Sequence, residues 1–356
     1  LTLNSNQFKK VEVNKVDNEL NALGIKIIRK LWINKIWFVY WPFLLKRFLR
    51  VNKFDLLVVA NEGGHIVASH LNKNILKNYI VVFHGKEDIK FFGSRSLHSL
   101  IQFSKSRMHS YCENSSKIIS VSEYLKNQFD KCGFSPEKVK IVHNGIDISF
   151  FKPMSENENQ KVRSAFLIKN NYKGSPKIIL CSSRLAYRKG QDVVIKSFKR
   201  IIDMGHDSIL IIAGDGSERA NLEELVEKLD LTNKVIFTGN ISRYALLNLY
   251  QICDLFVMIS SLNETFGIVY IEAMACRKPV IGSDIAAVPE VIKDGKTGLL
   301  VNPYSVDECT ESLNKILTNT NFADTLAKNA YKKVIKEFSV EIMARNTISG
   351  LFENMV

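Results

Sequence analysis

The segment Glu264-Thr-Phe-Gly-Ile-Val-Tyr-Ile-Glu272 sets a carboxylate at each end of an apolar stretch. It follows the apolar run Leu255–Ile259 and leads into a helical pattern. Gly267 near the start of that helix lets a ligand approach the backbone. The free N–H groups and the helix dipole favour an anion such as a phosphate. Glu272 lies among Ile271, Ala273, Met274 and Ala275, where an unpaired ionised carboxylate costs several kcal/mol. Its partner is either a set of sugar or ribose hydroxyls or a core Arg or Tyr. Glu264 is equally readable as a ligand-facing acid or a solvated loop acid.

A second group is Ser182-Ser-Arg-Leu-Ala-Tyr-Arg-Lys-Gly190. Arg184 and Lys189 flank a loop that ends at Gly190 and enters a helix, which suits a diphosphate held by one fork donor and one point charge. Read alone, it is also an ordinary solvated basic loop. His84, followed by Gly85 at the end of an apolar strand pattern, could meet a ligand, and Asn144-Gly145 reads as a turn. Gly214-Asp-Gly216 starts a dinucleotide fingerprint, but its third glycine position holds Arg219. Gly295-Lys-Thr297 ends like a P-loop, but the earlier glycine position holds Glu290, so both nucleotide motifs fail. No G-x-S-x-G elbow is present. No D-x-D occurs either, so no metal is expected on a donor diphosphate and cations with helix dipoles must replace it.

These loops need strands to hold them. The chain's 356 residues, 46% hydrophobic and 24% charged, suit two domains with substantial cores. Short β-branched runs alternate with amphipathic stretches throughout, the mark of α/β parallel sheets with helical crossovers. Strands are predicted at Ile25–Ile28, Asp55–Asn61, Tyr79–His84, Lys117–Ser122 and Val139–Asn144. After the polar stretch Lys152–Lys161 the pattern restarts with Lys177–Ser182, Ser208–Gly214, Val235–Gly239, Asp254–Ser260, Pro279–Ser283 and Gly298–Val301. Ligands of open α/β sheets collect at the carboxyl ends of strands, where His84, Arg184, Lys189, Gly214, Gly239 and Asn240 all fall. The final segment, from Phe322 onward, is predicted helical. Six scattered cysteines with no C-x-x-C pair give neither a disulfide framework nor a metal knot and point to a reducing cytosol. The longest apolar run, Ile36–Leu45, spans ten residues with a proline, too short to cross a bilayer.

The motifs V-V-F-His84-G, V-H-Asn144-G-I-D, S-S-Arg184-L-A-Y-R-Lys189-G, A-Gly214-D-G-S, F-T-Gly239 and Glu264-T-F-G-I-V-Y-I-Glu272-A-M-A, in this order, closely resemble glycosyltransferase family 4. The match runs from about residue 55 to 305, and its most specific part is E-x7-E. The resemblance implies a retaining, GT-B enzyme with two facing Rossmann-like domains and a deep cleft, of the bacterial surface-polysaccharide or lipopolysaccharide type. It implies an acceptor-binding domain at 1–160, a nucleotide-sugar-binding domain at 161–330 and a C-terminal helix, 331–356, packing back toward the first. The implied activity is transfer of a hexose-type sugar from a nucleotide-sugar, UDP-sugar before GDP-sugar, to a glycan or lipid-linked acceptor, with no metal. By the same resemblance Arg184 and Lys189 hold the diphosphate, and Glu264 and His84 face the donor sugar. Phe266, Gly267 and Ile268 form the helix start that receives sugar and phosphate, and Glu272 binds the ribose. A non-catalytic partner of the same fold and a nucleotide-sugar epimerase are the alternatives. A strand, Gly-rich loop and helix usually precede the region resembled by Leu1–Asn4, so the chain is expected to be a trimmed form.

Charge is unevenly spread. Residues 1–150 carry 23 of the 49 Lys/Arg but only 12 of the 36 Asp/Glu, and the net charge is +13. Residues 26–53 hold eight basic residues, no acidic ones and all three tryptophans, Trp32, Trp37 and Trp41. That composition suits an anionic membrane surface, or a core helix with a solvated basic face. With lipid-linked acceptors in view, the expectation is peripheral binding at the inner face of the membrane. No nucleic-acid module is recognisable.

Overall fold

The computed structural model describes residues 2–3, 29–30, 37–51, 56–60, 62–71, 74–76, 78–85, 99–262 and 264–352. In chain order the elements are β1 (Thr2–Leu3), β2 (Arg29–Lys30), α1 (Trp37–Val51), β3 (Leu57–Val59), α2 (Glu62–Ser69), β4 (Tyr79–Phe83) and α3 (Ser99–Asn114). Next come β5 (Lys117–Ser120), α4 (Glu123–Lys131), β6 (Val139–Ile141), α5 (Glu156–Lys169), β7 (Lys177–Ser182), α6 (Gln191–Asp203), β8 (Ser208–Ala213), α7 (Arg219–Lys228) and β9 (Val235–Gly239). The chain ends with α8 (Arg243–Ile252), β10 (Leu255–Met258), α9 (Ile268–Ala275), β11 (Val280–Ser283), α10 (Val288–Val291), β12 (Leu299–Val301), α11 (Val306–Thr318), α12 (Thr320–Glu337) and α13 (Val340–Phe352). Two compact units result, residues 1–82 with 94–116 and residues 83–93 with 117–356.

In the first unit β1 pairs in parallel with β2, and β3 with β4. Helix α2 packs against both α1 and α3. Its His65 is buried, with Nδ1 3.3 Å from the Tyr111 hydroxyl and Nε2 3.1 Å from the Val82 carbonyl, and the Tyr79 and Tyr111 rings stack at 5.2 Å. The predicted strand Ile25–Ile28 lies outside the described residues. Of the basic segment 26–53, residues 29–30 and 37–51 are described. Helix α1 contains Pro42, has no acid in its first turn and leaves Phe43 and Val51 exposed.

The second unit pairs β5 with β6 and builds a six-stranded parallel sheet in the order β12-β11-β10-β7-β8-β9. The chain lays β7, β8 and β9 side by side, then returns past β7 to place β10, β11 and β12 on its other edge. Right-handed crossovers put α6 and α7 on one face and α8 and α9 on the other. Accordingly α6 packs on α7 and α11, whereas α9 packs on α8 and α12. On α6 the apolar residues Val194, Phe198 and Ile201 recur at helical spacing and are fully buried against Ile179, Leu210 and Val257 of the sheet.

The predicted strands of this sheet are all present, and several are shorter at their carboxyl ends. Ser208–Gly214 ends at Ala213, Asp254–Ser260 ends at Met258, and in the preceding part Val139–Asn144 ends at Ile141. Beyond these ends pairing continues only as single contacts, Val142 N donating to the Ser120 carbonyl at 2.9 Å and Gly214 bridging Gly239. The Asn144-Gly145 pair is not a turn. Ile146 bridges in parallel to Ser339 between α12 and α13, and a Cβ on Gly145 would sit 2.5 Å from the Ser339 carbonyl oxygen. The glycine there makes room for a second backbone rather than a reversal. The helical tail predicted from Phe322 onward is two helices, broken at Phe338-Ser339, where the Ile146 carbonyl accepts from Val340 N at 3.0 Å and Ile146 N donates to the Phe338 carbonyl at 2.9 Å.

Candidate active site

Where β7 and β10 lie side by side, strand order reverses, and the crevice at their carboxyl ends is where open α/β sheets bind ligands. Two loops meet there. The one after β7 runs from Ser183 to Gly190, and its Lys189 Nζ donates to Glu264 Oε1 of the loop after β10 at 2.5 Å, with both side chains largely buried. Gly190 closes the first loop at φ 77°, and a Cβ there would meet the Ile259 carbonyl oxygen at 1.6 Å. Only glycine lets α6 start this close to the end of β10.

The backbone around Glu264 is pinned. Its carbonyl accepts from Ala287 N at 3.1 Å, and the Thr265 hydroxyl donates to the His84 carbonyl at 2.8 Å. The structure therefore brings His84, an exposed residue, beside the Glu264-Thr-Phe-Gly segment. Phe266 is buried, its ring 5.7 Å from that of His143 and 5.5 Å from that of Phe338. Gly267 at φ 91° precedes α9, whose first residue Ile268 is partly exposed. Tyr270 anchors the first turn by donating to the Met258 carbonyl at 2.7 Å. Arg184 is exposed, and its guanidinium makes no hydrogen bond or ion pair among the described residues.

Glu272, one turn further along α9, has the tyrosine partner that its surroundings demanded. Buried Tyr250 of α8 donates to Glu272 Oε2 at 3.0 Å. Burial raises the Glu272 carboxyl above its ordinary range, against the lowering effects of the Tyr250 bond and the Arg243 charge. Burial likewise holds the Tyr250 phenol well above 10. Gly214 and Gly239 sit at the carboxyl ends of β8 and β9, joined by a Gly214 N to Gly239 O bond of 3.1 Å, with exposed Asn240 beside them. Arg219, which breaks the dinucleotide pattern, lies over the Phe237 ring at 5.0 Å.

The arrangement offers an anion a buried lysine and a helix start, and offers hydroxyl groups two carboxylates. Two family models match the sequence. One described as Glycosyltransferase Family 4 covers residues 14–150, and one described as Glycosyl transferases group 1 covers residues 163–333. Over 94% of this chain and 88% of the other, the fold superposes on the crystal structure of Anabaena HepE in complex with UDP and glucose, with a TM-score of 0.77 and 22% identity. The chain belongs to the glycosyltransferases, and its fold is GT-B. A glycosyltransferase of Methanocaldococcus jannaschii described as uncharacterised is 29% identical over 338 residues, 92% of this chain and 85% of that one. The GDP-mannose-dependent monoacylated alpha-(1-6)-phosphatidylinositol monomannoside mannosyltransferase of Corynebacterium glutamicum is 29% identical over 229 residues, 63% and 58% of the two chains.

Two residues of this glycosyltransferase that the sequence did not single out for a role belong to the same neighbourhood. Glu290, noticed only as the residue that spoils a P-loop, accepts from Glu123 N and Tyr124 N at 2.8 Å each, while Ser122 Oγ accepts from Leu125 N at 3.1 Å. The start of α4 is thus capped by a distant carboxylate and a local hydroxyl together. Burial raises the Glu290 carboxyl, but His143, 3.6 Å away, and the two N–H donors outweigh it and hold the group below its ordinary value. A depressed carboxylate contributes stability above its unfolded pKa and loses it as pH falls through the folded value. Glu290→Gln should therefore lower stability by about 1 kcal/mol near neutral pH, and the gap between the two melting temperatures should close in acid. The second residue is Arg188, at φ 65°, whose guanidinium donates to Ser261 Oγ at 3.2 Å, the Ser261 carbonyl at 3.1 Å and the Tyr304 hydroxyl at 2.8 Å.

Proposed function

We propose that the protein is a metal-independent, retaining hexosyltransferase that takes its sugar from a nucleotide-sugar, UDP-linked before GDP-linked, and passes it to a hydroxyl of a glycan or lipid-linked acceptor. The observation that carries this reading is the Lys189–Glu264 pair beside the start of α9. Lys189, Arg184 and the α9 N–H groups would hold the diphosphate and take up the charge that grows on it as the glycosidic bond breaks. Glu264 would accept hydrogen bonds from the donor sugar's hydroxyls, His84 would line the same sugar, and Glu272 would bind the ribose. Gly214, Gly239 and Asn240 would flank the nucleotide. With positive charge spread over an oxocarbenium-like ring, the departing phosphate oxygen would take the acceptor's proton on the face it leaves, so that configuration is kept.

The UDP and glucose named for HepE support the donor class, and the phosphatidylinositol acceptor of the Corynebacterium relative supports a lipid-linked one. The test is transfer by the protein from a panel of UDP- and GDP-hexoses to a mixed glycan and lipid acceptor fraction, in chelator, with the anomeric configuration of the product read by NMR. Retained configuration and undiminished turnover in chelator are expected. Inverted product, or activity only with added metal, would refute the mechanism.

For partners, the reading places the basic, tryptophan-bearing segment 26–53 on an anionic membrane surface at the cytoplasmic side. No helix among the described residues is long and apolar enough to cross a bilayer. Lys46, Arg47 and Arg50 on α1, with no acid beside them, support surface attraction instead. Sedimentation with phosphatidylglycerol vesicles should show binding that weakens steeply with salt and is absent with neutral vesicles.

A further inference from the structure

The loop that carries Lys189 toward Glu264 turns the preceding residue elsewhere. Tyr187 and Arg188 line a cavity of about 350 Å³ shared with Glu218, Asn221 and Leu222 of the α7 region and with Tyr304 after β12. Gly190 and Ser261, from the loops after β7 and β10, also border it, whereas Lys189, Glu264 and Glu272 take no part in its walls. It belongs to the α6–α7 side of the sheet, whereas the E-x7-E helix α9 packs on the other side. Its volume lies at the lower end of the roughly 300–1,000 Å³ usual for small-ligand sites.

Three features specify the occupant. Tyr187 and Tyr304 are 75% and 65% exposed, so two aromatic rings stand in water at one opening. Aromatic faces are suited to stack on the apolar C–H faces of pyranose rings. Planar polar groups accompany them. Arg188 is fixed in the wall by Ser261 and Tyr304, and the Glu218 carboxylate is oriented by Asn221 Nδ2 at 3.0 Å. Such groups bridge neighbouring hydroxyls. Finally, the charges are Arg188 against Asp192 and Glu218, without the positive excess that a phosphate or an anionic lipid would need. The Arg188 backbone, in the left-handed region at φ 65° without being glycine, is a strain that keeps its guanidinium on Tyr304 while the next residue reaches Glu264.

We propose that this cavity is an accessory binding site for a neutral oligosaccharide, separate from the donor site, holding a glycan segment while the chemistry proceeds at Lys189 and Glu264. It goes beyond the transferase reading and can be tested without any donor. The full chain is titrated, by saturation-transfer NMR, with neutral linear oligosaccharides of glucose, galactose, mannose and N-acetylglucosamine. At least one should bind in the millimolar range or tighter, with saturation unchanged by excess UDP-glucose. The Tyr187→Ala/Tyr304→Ala double variant should weaken that saccharide at least about tenfold, and Tyr187→Ala alone, which leaves the Arg188–Tyr304 bond in place, should weaken it in part. Both variants should keep the wild-type melting temperature and UDP affinity. Absence of binding by every saccharide, affinity unchanged in the double variant, or displacement by UDP-glucose would overturn the proposal. Loss of UDP binding by the unmodified chain would instead count against the donor site alone.

Discussion

Lys189→Ala is expected to lower kcat by roughly 100- to 1,000-fold, the effect of removing one fixed donor from a developing oxyanion. The Nζ sits 2.5 Å from Glu264 where strand order reverses, and both side chains are largely buried. In the proposed mechanism a compact ammonium held this way would need no rearrangement as charge moves onto a departing diphosphate. Binding of UDP alone should weaken much less, because the α9 N–H groups and exposed Arg184 remain. The substitution also leaves Glu264 without its counter-charge in a poorly solvated place, so the variant should melt earlier than wild type. In the double variant Lys189→Ala/Glu264→Gln melting temperature should recover, since no charge is left unpaired, while turnover stays low because both proposed donor contacts are gone. If turnover recovered with stability, Lys189 would be a structural partner of Glu264 and the catalytic reading would fall. Full activity in Lys189→Ala would do the same.

The contrast between what the sequence disclosed and what it hid follows from range. The sheet strands were legible because each is a short β-branched run whose burial is a local property. The loops after β7 and β10 could be named as ligand-facing because parallel topology fixes which ends carry chemistry. That Lys189 and Glu264, 75 residues apart in sequence, would meet required knowing that β10 lands beside β7. The environment of Glu272 announced the need for a partner, but the choice of Tyr250, in a helix that carries no motif, depended on how α8 and α9 pack. The capping role of Glu290 was hidden because both amides it caps lie more than 160 residues earlier. Arg188 carried no pattern at all. Its importance rests on a positive φ, which a residue other than glycine does not advertise.

Glu272→Gln should separate stability from function at a single atom. In the folded chain burial raises the carboxyl above its ordinary pKa, overcoming the Tyr250 hydrogen bond and the Arg243 charge. A raised carboxylate is a stability cost that grows as pH climbs from the unfolded value through the folded one. Near neutral pH the carboxyl is therefore held at a loss relative to the unfolded chain, and the amide, able to accept the same Tyr250 proton, removes it. The variant's melting temperature should exceed the wild type's at neutral pH, and the advantage should vanish below the ordinary carboxylate range, where both side chains are neutral. Nucleotide affinity should move the other way. One carboxylate can accept from two ribose hydroxyls, and a hydrogen bond to a charged group is worth about 1.5–3 kcal/mol, so UDP and UDP-sugar should bind roughly 10- to 100-fold more weakly to the variant. Differential scanning fluorimetry across pH reads the first effect and calorimetric titration with UDP the second. A variant that is both less stable and unchanged in UDP affinity would make Glu272 a structural partner of Tyr250 alone. The expected combination, a tighter fold with a weaker site, would mark a carboxylate kept in an unfavourable place for the ligand it meets there.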